Sequence, residues 1–137
     1  MDINLLTIHG DGSVEFNLDK TGEALFGLDA LFQRIVLKLL KSPGSDIMNI
    51  GDGGGLQELF LGSVTSDEKM VSEISEIIRR TRESLVMDQM SQDLPDDERL
   101  HHLSVQSVYS DHETGTLTLS LYFRNALQQS STNTLVI

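Results

Sequence analysis

The sequence predicts an α+β fold: two main α-helices packed with a C-terminal antiparallel β-hairpin, plus an N-terminal hairpin. Three observations carry that expectation. Apolar residues recur at helical spacing over residues 23–41, and again from about residue 65 to residue 90. Two later runs, 102–110 and 116–124, alternate with period two, which is the pattern of strands with one apolar face. The chain has 137 residues, 39% hydrophobic and 23% charged, which suits a single domain with a modest core.

Taken in order, residues 3–8 and 14–18 are short apolar-rich runs on either side of His9-Gly10-Asp11-Gly12-Ser13. An Asp-Gly pair at such a place favours a tight reversal, because Gly12 takes positive φ without a Cβ penalty. Residues 1–19 are therefore expected as a hairpin, with His9 a solvated turn residue. In the first helix Leu28, Leu31, Phe32, Ile35, Leu39 and Leu40 lie close to one face. Lys38 and Lys41 suit the negative pole of the helix dipole, and Pro43-Gly44 ends the helix near residues 40–42.

Gly51-Asp52-Gly53-Gly54-Gly55 places four glycines in five residues and reads as a loop. Residues 56–61 read as a short helix broken by Gly62, after which Thr65-Ser66-Asp67-Glu68 offers a capping box for the second long helix. Its apolar stripe is Val71, Ile74, Ile77, Ile78, Leu85 and Val86, opposite Glu73, Glu76, Arg79, Arg80 and Glu83. Residues 23–90 thus form the helical part.

The acid-rich stretch 91–99 around Pro95 has a composition that cannot bury surface, and so marks a loop. In the strands that follow, Leu103, Val105, Ser107 and Tyr109 alternate with polar neighbours. Leu117, Leu119, Leu121 and Phe123 then lie opposite Thr116, Thr118, Ser120 and Tyr122. Residues 111–115 join the two strands in a loop closing on Gly115, so that 100–125 is the C-terminal hairpin. Residues 126–137 are expected as a polar, mobile tail, whose last residues Leu135-Val136-Ile137 are apolar enough to add to an edge or dock on a partner.

Composition removes several functions. Ten Lys plus Arg against 21 Asp plus Glu give a net charge of −11, which repels nucleic acid and anionic lipid. The chain has no cysteine, hence no disulfide framework, thiolate nucleophile or cysteine-based zinc site. Its apolar runs, such as residues 35–40, fall far short of the roughly 20 residues a spanning helix needs. The start lacks a signal-peptide pattern, so maturation in a cytoplasm is expected. Arg79, Arg80 and Arg82 cluster on one helix, either as a solvated face paired with Glu76 and Glu83 or as a docking point for an acidic partner.

The catalytic patterns fail one by one. The glycine loop lacks the Gly-Lys-Ser/Thr ending of a phosphate cradle, and Asp52 lacks the alternating oxygen ligands of a calcium loop. His101 and His102 are adjacent, so in a strand they point to opposite faces and cannot chelate one metal together. No Gly-x-Ser-x-Gly elbow occurs. A carboxylate pair including Glu58 is conceivable for glycosidic hydrolysis, but acid-rich chains meet that search trivially. Without Trp, and with two Tyr and five Phe, the chain has little to line a sugar cleft. No catalytic residue, cofactor or metal ligand is expected.

The segment Gly27-Leu28-Asp29-Ala30-Leu31-Phe32-Gln33-Arg34-Ile35, then Leu39-Leu40, Pro43-Gly44-Ser45-Asp46 and Gly51-Asp52-Gly53-Gly54-Gly55-Leu56, resembles the wedge family of contractile phage-tail baseplates, which includes a type VI secretion counterpart. The similarity covers roughly residues 20–62. Many members carry a Glu-Pro-Arg element after the first helix; here the region reads Pro43-Gly44-Ser45-Asp46-Ile47-Met48. The resemblance implies a structural subunit, present in several copies around a tail tube, that joins wedge proteins and initiates the tail sheath. It implies partner contacts at Gln33, Arg34, Pro43, Gly44, Gly53 and Gly54. On the terminal hairpin the candidates are Leu117, Leu119 and Tyr122, with Arg79 and Arg80 as docking cations. The hairpin would offer its edge to an incoming sheath strand. The rival readings are a lysozyme-like, peptidoglycan-degrading baseplate enzyme and a chaperone-like or toxin-neutralising acidic binder.

Overall fold

The computed structural model describes residues 2–3, 6–8, 14–16, 24–41, 44, 47–48, 52–56, 67–111, 113 and 115–136. They form an α+β chain with two helices and a three-stranded antiparallel sheet. Two compact units divide it: Met1–Gln33 with Leu94–Ile137, and Arg34–Asp93. No helix among the described residues is long and apolar enough to cross a membrane.

In the first unit, β1 (Asp2–Ile3) pairs antiparallel with β4 (Ala24–Leu25), and β2 (Leu6–Ile8) with β3 (Val14–Phe16). The expected reversal at residues 9–13 lies outside the described residues. Helix α1 (Gly27–Leu40) begins four residues later than its apolar spacing suggests. Residues 24 and 25 give their backbone to β4, and Gly27, at φ 59°, turns the chain into the helix through left-handed space that favours glycine. Asp29 in the first turn suits the positive pole of the helix.

The main sheet has the order β5 (Leu100–Asp111), β6 (Thr116–Asn125), β7 (Ser130–Val136). Strict alternation along β6 buries Leu117, Leu119, Leu121 and Phe123 on one face, joined there by Leu103 of β5 and Leu135 of β7. Each such side chain contributes about 1.5–3 kcal/mol when fully buried. Phe32 of α1 stacks on Phe123, ring centroids 5.4 Å apart and nearly parallel, so the start of α1 covers this apolar face.

The expected phase of β5 is corrected halfway along. A register shift between Val105 and Ser107 leaves Gln106 as an extra residue, so Val105 faces Leu121 and Val108 faces Leu119. Both valines thereby join the inner face, and Tyr109, opposite Thr118, turns outward and is 66% exposed. A bulge changes the parity of every residue after it, which periodicity alone does not register. The β5–β6 connection closes as expected: the Gly115 N–H donates to the Asp111 carbonyl at 2.9 Å, with Gly115 at φ 69°.

The expected mobile tail is instead a third strand from Ser130 to Val136, paired along its whole length with β6. Buried Asn125 builds the turn into it. Its Nδ2 donates to the carbonyl of Asp97 and to Gln129 Oε1, both at 2.9 Å, while its Oδ1 accepts the Gln129 N–H at 2.9 Å. Gln128, at φ 66°, completes the reversal. The acid-rich loop also departs from expectation, since Asp96–Glu98 forms a 3-10 turn in which Glu98 is buried. A carboxylate can be buried when it is partnered, and Glu98 is engaged within the protein.

The second unit holds the rest of α1, with Ile35, Val36 and Leu39 buried, and α2 (Asp67–Gln89), which buries Ile74, Ile77, Ile78 and Leu85. Val71 and Val86, expected on that stripe, are exposed, at 47% and 37%. Val86 lies about 100° round the helix from Leu85, and the central place on the buried face goes to Thr81. That hydroxyl is satisfied by donating to the Ile77 carbonyl at 2.8 Å. The expected capping residues Thr65 and Ser66 lie outside the described residues, as does the expected short helix apart from buried Leu56.

Candidate functional site

Where α1 ends, the glycine segment folds back on it. The Gly54 N–H donates to the Lys38 carbonyl at 2.9 Å and the Gly55 N–H to the Lys41 carbonyl at 3.0 Å, satisfying acceptors that a helix end leaves open. Gly53 and Gly55 hold φ of 114° and 75°, so the segment needs glycine for its backbone. Gly54 is needed for space, because a Cβ there would run into Thr81 Oγ1 and the backbone of Leu39.

Asp52 locks this arrangement. Its side chain is 6% exposed, and Lys38 Nζ donates to both carboxylate oxygens, at 2.8 and 2.9 Å. Lys41 Nζ reaches Oδ2 at 2.5 Å, and Lys38 also donates to Asp88 Oδ2 of α2 at 2.5 Å. Burial pushes the Asp52 pKa upward, and the hydrogen bonds and charges of Lys38 and Lys41 outweigh it, leaving the carboxyl below its ordinary range. Two ammonium groups and two carboxylates balance, so the cluster clamps helix end, loop and α2 within the unit. Its sequence signal was a single acid set among glycines behind two lysines one helical turn apart.

The other candidate residues are scattered. Gln33 is buried and Arg34 half-buried, and both are engaged within the protein. Pro43 and Glu58 lie outside the described residues. Gly44 is exposed, at φ 87°. Gly53 and Gly54 are buried in the clamp, so they serve the unit's own packing. Arg79 pairs with Glu76 at 2.5 Å and Glu83 at 2.6 Å on the exposed face of α2. The Glu76 pKa is lowered, first by its hydrogen bond from Arg79. Arg80 is half-buried, and its Nε makes no hydrogen bond.

Leu117 and Leu119, expected as partner contacts, are corrected to core residues: at 1% and 0% exposed they belong to the buried face of the sheet. Alternation that marks a strand also marks which residues it hides. Tyr122 is half-buried on the opposite face, between Ser104 and Thr132. The edge expected on the 102–124 hairpin is reduced as well, because β7 covers the free side of β6, and among the described residues the outer sides of β5 and β7 are the unpaired ones. Among the described residues, no three His, Asp or Glu side chains gather as a metal set.

Compared with family models, curated proteins and solved structures, the chain matches none. The fold itself defines an α+β protein with a clamped glycine segment and a sheet whose outer strands pair with no further strand among the described residues.

Proposed function

We propose that the chain is a non-catalytic structural subunit of a contractile phage tail baseplate wedge. In this reading it joins other wedge proteins, stands in several copies around the tail tube, and initiates the sheath by accepting a strand at its sheet edge. It is assembled in the host cytoplasm and resides in the virion tail, and its first 19 residues form a hairpin. The resemblance over residues 20–62 supports the family.

One observation carries the mode of action. β7, the sequence Ser-Ser-Thr-Asn-Thr-Leu-Val, runs seven residues without a register shift and contains no charge and no proline. Edge strands are ordinarily guarded by lysines, prolines or bulges, because unpaired N–H and C=O groups recruit another strand. β5 has such guards in its two register shifts; β7 has none. Among the described residues no strand pairs with the outer side of β7. An edge left open in this way suits strand addition, where main-chain hydrogen bonds supply the affinity.

The test is co-purification with the tail proteins encoded beside it, followed by electron microscopy. The reading expects the chain at the base of the tube with β7 against sheath. A protein that purifies alone and clears cell walls, with clearing lost in Glu58→Gln, overturns it in favour of a peptidoglycan hydrolase. The edge is tested separately by Asn133→Pro and Thr134→Pro. Successive strand residues turn their N–H groups alternately inward and outward, so one of the two variants keeps its β6 pairing and loses only an outward donor. That variant is expected to fold and fail to assemble.

A further inference from the structure

A second surface, independent of the strand edge, lies on the outer face of the same sheet. In a chain of 21 acids this face is nearly free of them. Its residues are mostly hydroxylic: Thr118, Ser120 and Tyr122 on β6, flanked by Ser107 and Tyr109 on β5 and Thr134 on β7. None of them is buried. The one acid on the face, Asp111, pairs with Thr116 at the far end from Arg124. Tyrosines among small hydroxyl residues, with little charge and an arginine at one end, make a composition found in paratope-like recognition surfaces.

Arg124 stands at the other end, between His102 and Ser130 on the neighbouring strands. Its side chain makes no ion pair or hydrogen bond among the described residues, and its Nε is buried without a partner. The ring of His102, register partner of Arg124 on β5, leans on that of Tyr122 with centroids 5.9 Å apart, an aromatic pair next to Arg124 in the sheet. A guanidinium half-withdrawn from water, with an orphaned donor and no ion pair among the described residues, is matched by a planar carboxylate presented from outside.

We propose that the outer face of the β5–β6–β7 sheet is a protein-docking surface whose partner inserts an Asp or Glu carboxylate at Arg124, flanked by Tyr122 and His102. The partner is a protein segment with a polar, hydroxyl-bearing surface and one central acid. The chain's net charge of −11 disfavours a highly acidic partner, so one acid in register is the requirement, not a polyanion. Specificity comes from the bidentate fork of Arg124, which a lysine does not reproduce.

The probe is a terminally blocked Ser-Tyr-Glu-Tyr-Ser peptide, with the Gln-centred peptide as control. It is titrated at low ionic strength into the full-length protein while the arginine Nε–H and backbone amide resonances are followed by NMR. The buried Nε of Arg124 is shielded from solvent exchange and reports directly. The expected result is a saturable shift at Arg124 and along the outer face, with the Gln peptide weaker by about tenfold, the loss of one charge-assisted hydrogen-bonded pair. Arg124→Gln abolishes the preference for the Glu peptide, and Arg124→Lys recovers only part of it. Shifts centred on Arg79 or Arg82, equal binding of the two peptides, or no binding overturns the proposal. The titration needs no tail protein, so its failure leaves the baseplate reading untouched.

Discussion

Each unit of the molecule has an irregular segment organised by one buried polar side chain, and the two are built from different chemistry. In the sheet unit Asn125 uses a neutral amide to hold the turn between β6 and β7. In the helical unit Asp52 uses charge, gripped by Lys38 and Lys41. A neutral network is indifferent to pH. An ionic one stands against a desolvation cost and persists only while its groups stay charged. The Asp52 clamp of the helical unit is therefore sensitive to acid, and the Asn125 turn of the sheet unit is not.

Optical probes separate the two. Both tyrosines, Tyr109 and Tyr122, lie on the sheet, so tyrosine fluorescence follows that unit, while helical circular dichroism at 222 nm is weighted toward α2. The largest effect is expected from Gly54→Val, whose side chain has no room against Thr81 and Leu39. It should cost about 3 kcal/mol or more, read as an early loss of the 222 nm signal in urea. Asp52→Asn comes next at about 2–3 kcal/mol, less than a fully buried pair because Lys41 is 31% exposed. Asn125→Ala follows at about 1–2 kcal/mol, and is expected to move the tyrosine transition first. Arg79→Ala removes ion pairs that stand in solvent and should leave both transitions unshifted.

The pH dependence sharpens the contrast further. Folding holds Asp52 below the ordinary aspartate range, so in mild acid the native state binds fewer protons than the unfolded chain. Its contribution is complete above about pH 5 and is lost as the pH falls through the lower folded value. Urea midpoints of wild type should therefore converge on those of Asp52→Asn as the pH drops, while the gap to Asn125→Ala stays constant. Convergence in both variants, or in neither, breaks the comparison.

Much of this architecture was legible in the sequence because it is written in local periodicity. Spacing of 3.6 residues marked α1 and α2, and strict alternation marked β6 with Leu117, Leu119, Leu121 and Phe123 on one side. The Asp111–Gly115 loop followed from turn chemistry that needs only neighbouring residues. Where a local signal misled, a long-range contact had overridden it: pairing with β1 drew residues 24–25 out of the first helix, and the bulge at Gln106 reversed the facing of Tyr109.

Tertiary structure alone decided the rest. β7 presents one buried residue, Leu135, in a run that is polar up to Thr134, and is a strand only because β6 offers it a ladder and Asn125 a turn. Asp52 meets Lys38 14 positions away, and that lysine meets Asp88 at a separation of 50. The sequence by itself determined which segments coil, which extend and that the chain is strongly acidic, since those properties follow from neighbours and composition. Which strand is left open, which acid is clamped and which arginine stands without a partner depend on residues brought together across the chain, and no pattern of adjacent residues specifies them.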